Sequence, residues 1–97
     1  MKGIMPTPEE VDAGGGTYGP LEVNGRVFTI SRWRSASFEG RSISGRWYQV
    51  LSADDVTTVG MIQASTGEFF AFQPYEVGNG LGEAARSLDE AIRILVA

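Results

Sequence analysis

Apolar and polar positions alternate with strand periodicity through the middle of the chain, densest in Gly45–Pro74, GRWYQVLSADDVTTVGMIQASTGEFFAFQP. Runs rich in Val, Ile, Thr, Phe, Tyr and Trp are separated by Asp54-Asp55 and Thr66-Gly67, the pattern of an antiparallel meander. Upstream, Asn24-Gly25 sits between Leu21–Val23 and a longer run from Arg26 to about Ser37. Asn-Gly favours a two-residue hairpin turn because both central residues need φ > 0. Glu39-Gly40 predicts the next turn. Closed by two residues, it sets Phe38 opposite Arg41, Ala36 opposite Ile43, Arg34 opposite Gly45, Arg32 opposite Trp47 and Trp33 opposite Arg46. The following strands are Thr57–Ala64 and Glu68–Gln73, the latter ending at Pro74, which has no N–H for a ladder.

The period changes near the end of the chain. Ser87-Leu88-Asp89-Glu90 is a capping box, and Leu88, Ala91, Ile92 and Leu95 repeat at helical spacing. Leu81, Ala84 and Ala85 extend that stripe backwards, so the helix is expected to begin as early as Glu83. Residues 1–20 hold Pro6, Pro8, Gly14-Gly15-Gly16 and Pro20, and read as an extended arm able to dock through Ile4, Met5, Val11 or Tyr18. The expected fold is α+β: an antiparallel meander of four or five strands with one C-terminal helix on one face, residues 21–97 forming a single domain.

Alternation in the last hairpin puts Val59, Met61, Phe70 and Phe72 on one face and Ile62, Ala64, Phe69 and Ala71 on the other, so both faces are apolar. One helix covers one face. With the helix on the Met61 side, Ile62 and Phe69 are left to the arm or a second subunit, and a homodimer through them is the expectation.

Composition narrows the chemistry. The 97 residues contain no cysteine and no histidine. Disulfides, thiolates and the commonest general base and metal ligand are therefore absent. No apolar run reaches the ~20 residues of a membrane span, and the first eleven lack a signal-peptide core. Together these point to a cytoplasmic protein. The net charge is −4, unevenly spread. Residues 26–46 carry Arg26, Arg32, Arg34, Arg41 and Arg46 against Glu39; residues 47–97 carry seven acids against Arg86 and Arg93. The basic stretch either marks a partner surface or neutralises acidic neighbours within the fold.

Candidate motifs are few. Gly78-Asn79-Gly80-Leu81-Gly82 fits neither G-x-G-x-x-G nor the P-loop, and reads as a connection. Asp54-Asp55 reads as turn chemistry rather than a metal site. Serines are plentiful, but none lies in G-x-S-x-G and no histidine is present to activate one. An enzyme is not expected, and no cofactor or metal is implied. The one cluster with binding chemistry is Arg32, Trp33, Arg34, Phe38, Arg41, Arg46 and Trp47. Arginines interleaved with aromatics grip nucleic acid by phosphate contact and base stacking, and the same residue types dominate protein-interface hot spots.

Strands followed by Ser87-Leu-Asp-Glu-Ala-Ile-Arg-Ile-Leu95 resemble small phage and mobile-element proteins. They are similar to antitoxins whose strands precede a Leu-Glu-Glu-Ala helix. The resemblance covers about the last fifty residues and rests on helix-capping chemistry. It implies a regulator or inhibitor, including an anti-defence inhibitor of the anti-CRISPR kind. Two functional readings follow: a non-enzymatic protein-binding regulator or inhibitor, and a nucleic-acid-binding module built on the hairpin of residues 26–50.

Overall fold

The computed structural model describes residues 5–54 and 56–96. Its elements are α1 (Pro8–Ala13), β1 (Thr17–Val23), β2 (Arg26–Trp33), β3 (Ser37–Phe38), β4 (Arg41–Ser42), β5 (Arg46–Ser52), β6 (Thr58–Ser65), β7 (Glu68–Phe72), a 3-10 turn (Pro74–Glu76), β8 (Glu83–Ala85) and α2 (Leu88–Val96). The architecture is α+β, as the patterning predicts. The sheet has six antiparallel strands in the order β1-β2-β5-β6-β7-β8, rather than four or five, and β3–β4 form a separate two-stranded flap.

Residues 5–20 are not an extended arm. Thr7 caps α1: its hydroxyl accepts from the Glu10 amide at 3.2 Å, and the Glu10 carboxylate accepts from the Thr7 amide at 3.0 Å. Pro8 occupies the first helical turn, where its missing N–H costs nothing. Val11 is fully buried, and β1 begins at Thr17, four residues earlier than the apolar pattern implies. Ile4 lies outside the described residues.

Turn chemistry behaves as read. Asn24 and Gly25 have φ of 53° and 79°, and Glu39 and Gly40 have 50° and 81°. The flap closes with Phe38 opposite Arg41 and the Ile43 amide donating to the Ala36 carbonyl at 2.8 Å. Below the flap the register slips. Trp33 lies opposite Trp47 and Arg32 opposite Tyr48, not Arg46 and Trp47. Between the Ala36–Ile43 and Trp33–Trp47 pairings the return strand carries one more residue than the outgoing one. Gly45, at φ 91°, supplies the left-handed kink beside the extra residue. Since side chains alternate, this single residue moves both tryptophans onto one face.

Each face has its own core. The first packs α2 and Val11 of α1 onto Leu21, Phe28, Ile30, Tyr48, Val50, Ile62 and Ala71. The second packs Phe38 onto Trp47, Met61, Phe72 and Val77, with Trp33, Ile43 and Phe70 at its margin. The last hairpin sorts its faces as expected, with Met61 opposite Phe72 and Ile62 opposite Ala71. Val59 is the exception. A bulge between the Val50 and Leu51 pairings re-aims it towards the first core.

Helix α2 sits on the Ile62 side rather than the Met61 side. Gly60 makes this approach feasible: a β-carbon there would lie 2.5 Å from Leu95 Cδ2 and 2.8 Å from the Phe72 carbonyl oxygen. Ser87 caps α2, its hydroxyl accepting from the Glu90 amide at 3.1 Å. The helix does not extend back to Glu83, because Glu83–Ala85 pair with Phe69–Ala71 as β8.

Candidate functional site

The Arg/Trp cluster does not form one surface. Trp47 is 4% exposed, its indole N–H donates to the Ser44 carbonyl at 2.8 Å, and its ring centroid lies 5.0 Å from that of Phe72. Trp33 donates to the Ser37 carbonyl at 3.1 Å and meets Phe38 edge-on at 5.4 Å. Phe38 is itself buried under the flap. Arg41 is spent internally: its Nε donates to the Val77 carbonyl and its Nη2 to the Pro74 carbonyl at 2.9 Å, with Glu39 at 3.5 Å. On the opposite face Arg32 stands 3.4 Å from the Asp12 carboxylate and 5.7 Å from the centre of the Tyr48 ring. Arg34 and Arg46 are exposed, and Arg46 lines a shallow hollow with Ala64, Ser65 and Thr66. A single-strand platform needs open aromatic faces beside cations. Here the aromatics fill a core, and two of the arginines neutralise acids of their own chain.

Tyr48 is the buried polar group of this region. Burial raises its phenol pKa, the Asp12 charge adds to the rise, and Arg46 and Arg32 oppose it. Arg32 Nε has no hydrogen-bond partner among the described residues.

The self-association residues are also relocated. Ile62 is fully buried beneath α2, and Phe69 is half-buried against the same core, beside Met5. A second subunit cannot reach Ile62 without displacing the helix. The reason is the choice of face: α2 and α1 cover the Ile62 side, and the flap covers part of the other.

The most exposed apolar feature of the described residues lies elsewhere. Leu81 is 92% exposed, Val56 in the turn before β6 80% and Tyr75 71%. Leu81 borders a groove of about 310 Å³ lined by Gln63, Phe70, Phe72, Gly80 and Gly82. The 3-10 turn and the glycine connection carry the chain past the end of β7 to β8. Gly82 must be glycine here, since a β-carbon would come within 2.7 Å of the Phe72 ring. The spacing of Leu81 suits a helical stripe, and that reading hides it. Its position between Gly80 and Gly82 is the signal for a lone apolar residue on a connection.

The remaining motifs are structural. The Asp54 carboxylate accepts from Ser52 Oγ at 2.5 Å, the Val56 and Thr57 amides at 2.9 and 3.0 Å, and Thr57 Oγ1 at 3.1 Å. These bonds, that from Ser52 foremost, hold its pKa far below the usual carboxylate range. Asp55 lies outside the described residues. Among the described residues no three acids cluster in a way that could hold a metal ion, and no helix is long and apolar enough to cross a membrane. Residues 78–82 run into a strand, not a helix N-terminus, so they offer no phosphate cradle. No family model, curated protein or solved structure matches the chain.

Proposed function

We propose that the protein is a small non-enzymatic protein-binding module, a regulator or inhibitor, that takes its partner at the groove beside Leu81. The observation carrying this reading is the exposure of Leu81 next to the rings of Phe70 and Phe72. Most other large apolar residues on the two faces of the sheet are packed into a core, one of the two cores lying partly under a flap. The other strongly exposed apolar residues, Val56 and Tyr75, lie in connections off those faces. A leucine left in water at the mouth of an apolar groove is the arrangement of a contact anchor. Covering it contributes ~1.5–3 kcal/mol, enough to shape an interface. Without histidine or cysteine, the chain lacks the commonest general base and the thiolate nucleophile.

Leu81→Asp tests the reading. Its side chain packs against little, so the fold is expected to survive, as circular dichroism will verify. A partner recovered from cells with the parent protein is expected to be lost with Leu81→Asp and kept with Arg46→Glu, which alters the other face. Equal recovery with both variants would remove the groove from the function. Retention of nucleic acid at ~50 mM salt, where phosphate contacts are strongest, would favour the basic hairpin instead.

A further inference from the structure

We infer that the free edge of β8 accepts an extended segment of the partner as a seventh strand, and that this segment alternates apolar and basic side chains. The inference rests on the groove reading above and names what fills the groove. β8 ends the sheet, and no other strand pairs with its outer side among the described residues. An exposed edge presents unpaired backbone N–H and C=O groups, and peptide recognition by strand addition uses them directly.

The two sides of this edge differ in chemistry. Ala84 lies opposite Phe70. It and Gly82 are small, so they leave the half-buried Phe70 ring open from the edge, with the buried Phe72 ring packed under Gly82 and Leu81 flanking the groove. On the other side Glu83 lies opposite Ala71 and shares its face, the face on which α2 brings Glu90 alongside Arg86. Neither Glu83 nor Glu90 is in an ion pair among the described residues. A smaller recess of about 200 Å³, lined by Gly67, Glu68, Ala84, Ala85, Arg86 and Glu90, continues along the edge.

Strand side chains alternate between faces. An added strand therefore directs every second residue over Ala84 into the apolar groove and the residues between them towards Glu83 and Glu90. Apolar residues suit the first set and Lys or Arg the second. A second copy of this chain fits poorly, because its own β8 brings another Glu83 to the acidic side. The short strand and its charge discourage long edge-to-edge pairing while leaving room for a few residues.

The probe is acetyl-Lys-Val-Lys-Val-Lys-Val-Lys-amide, titrated into the isotope-labelled full-length protein at low salt. The backbone amides of Glu83–Ala85 are expected to shift, and hydrogen exchange of those that gain partners is expected to slow by ~10-fold or more. Alternate N-methylation of the peptide, which removes ladder donors, is expected to abolish binding, and Glu83→Lys to weaken it at least ~10-fold. Shifts confined to the Phe70 and Leu81 side, with the N-methylated peptide bound equally well, would overturn strand addition and leave the groove reading standing. No shift at millimolar peptide would overturn the inference as well, with the Leu81→Asp recovery experiment still deciding the groove itself.

Discussion

Gly60→Ala is the most demanding test of how α2 meets the sheet. In an ordinary strand this change stabilises by ~0.4–1 kcal/mol, because alanine has fewer unfolded conformations to lose. Gly60 has ordinary strand backbone, so φ imposes no penalty. Space does. The new β-carbon would lie 2.5 and 2.9 Å from the two Leu95 methyls and 2.8 Å from the Phe72 carbonyl oxygen. The methyls can rotate away; the carbonyl belongs to the β6–β7 ladder and cannot. Overpacking of this kind costs ~1–3 kcal/mol, which exceeds the entropic gain. For a domain of this size each kcal/mol lowers the melting temperature by roughly 4–8 °C. Thermal and urea denaturation of the single variant, of Leu95→Ala and of the double variant separate the causes. Leu95→Ala alone is expected to cost ~2–5 kcal/mol. In the double variant the total is expected to fall short of the sum, since one change removes the clash made by the other. An unchanged or raised melting temperature for Gly60→Ala, or strict additivity, would refute the close approach of α2 to β6.

Two further changes probe other parts of the fold. Asp54→Asn is expected to destabilise at neutral pH, because the carboxylate gathers four donors in one turn. The folded-state pKa is depressed, so the stabilisation is present above the unfolded value near 3.8 and is lost as pH falls towards the folded value. Melting curves of the two proteins should therefore converge as the pH drops below about 4. A constant gap down to acid pH would assign the effect to something other than the charge. Arg41→Ala is expected to loosen the flap, shift tryptophan emission to the red and raise acrylamide quenching of Trp33 and Trp47. Arg41→Lys should restore little, since one ammonium on a flexible stem cannot reproduce a planar fork held by two carbonyls. Parent-like quenching of Arg41→Ala would mean that the flap stays closed without this anchor.

What could be read from the residues alone were the local rules. Asn24-Gly25, Glu39-Gly40, Thr66-Gly67 and the Ser87 N-cap all act within four residues of themselves, and each appears where its chemistry puts it, although the Glu90 carboxylate accepts from the Arg86 amide rather than closing a full capping box. Thr7-Pro8-Glu9-Glu10 carries the same kind of signal, and the surrounding prolines and glycines masked it. Single-residue insertions were not legible. One extra residue beside Gly45 turns Trp33 to the side of Trp47, and a bulge turns Val59 away from Met61. Because the strand period is two, each such insertion inverts everything beyond it, and no local preference announces it. The reach of Arg41 to carbonyls 33 and 36 positions away is likewise a property of the assembled fold. The candidate site suffered most. Membership of the Arg/Trp cluster could be read, but not its division between two cores, and Leu81 was concealed by a periodicity it does not obey.

The flap separates two jobs that a β-protein usually gives to the same residues. Residues 34–45 form an excursion between β2 and β5, which pair with each other directly, side by side and antiparallel. The excursion is therefore upholstery on a frame that is already joined. Topology is written in the turns and in the strands that flank them, whereas the cover over Trp47 and Met61 on one side of the sheet is written in this insert. Drift in that insert can reshape one surface of the molecule while leaving the strand order, the other core and the β8 edge as they are.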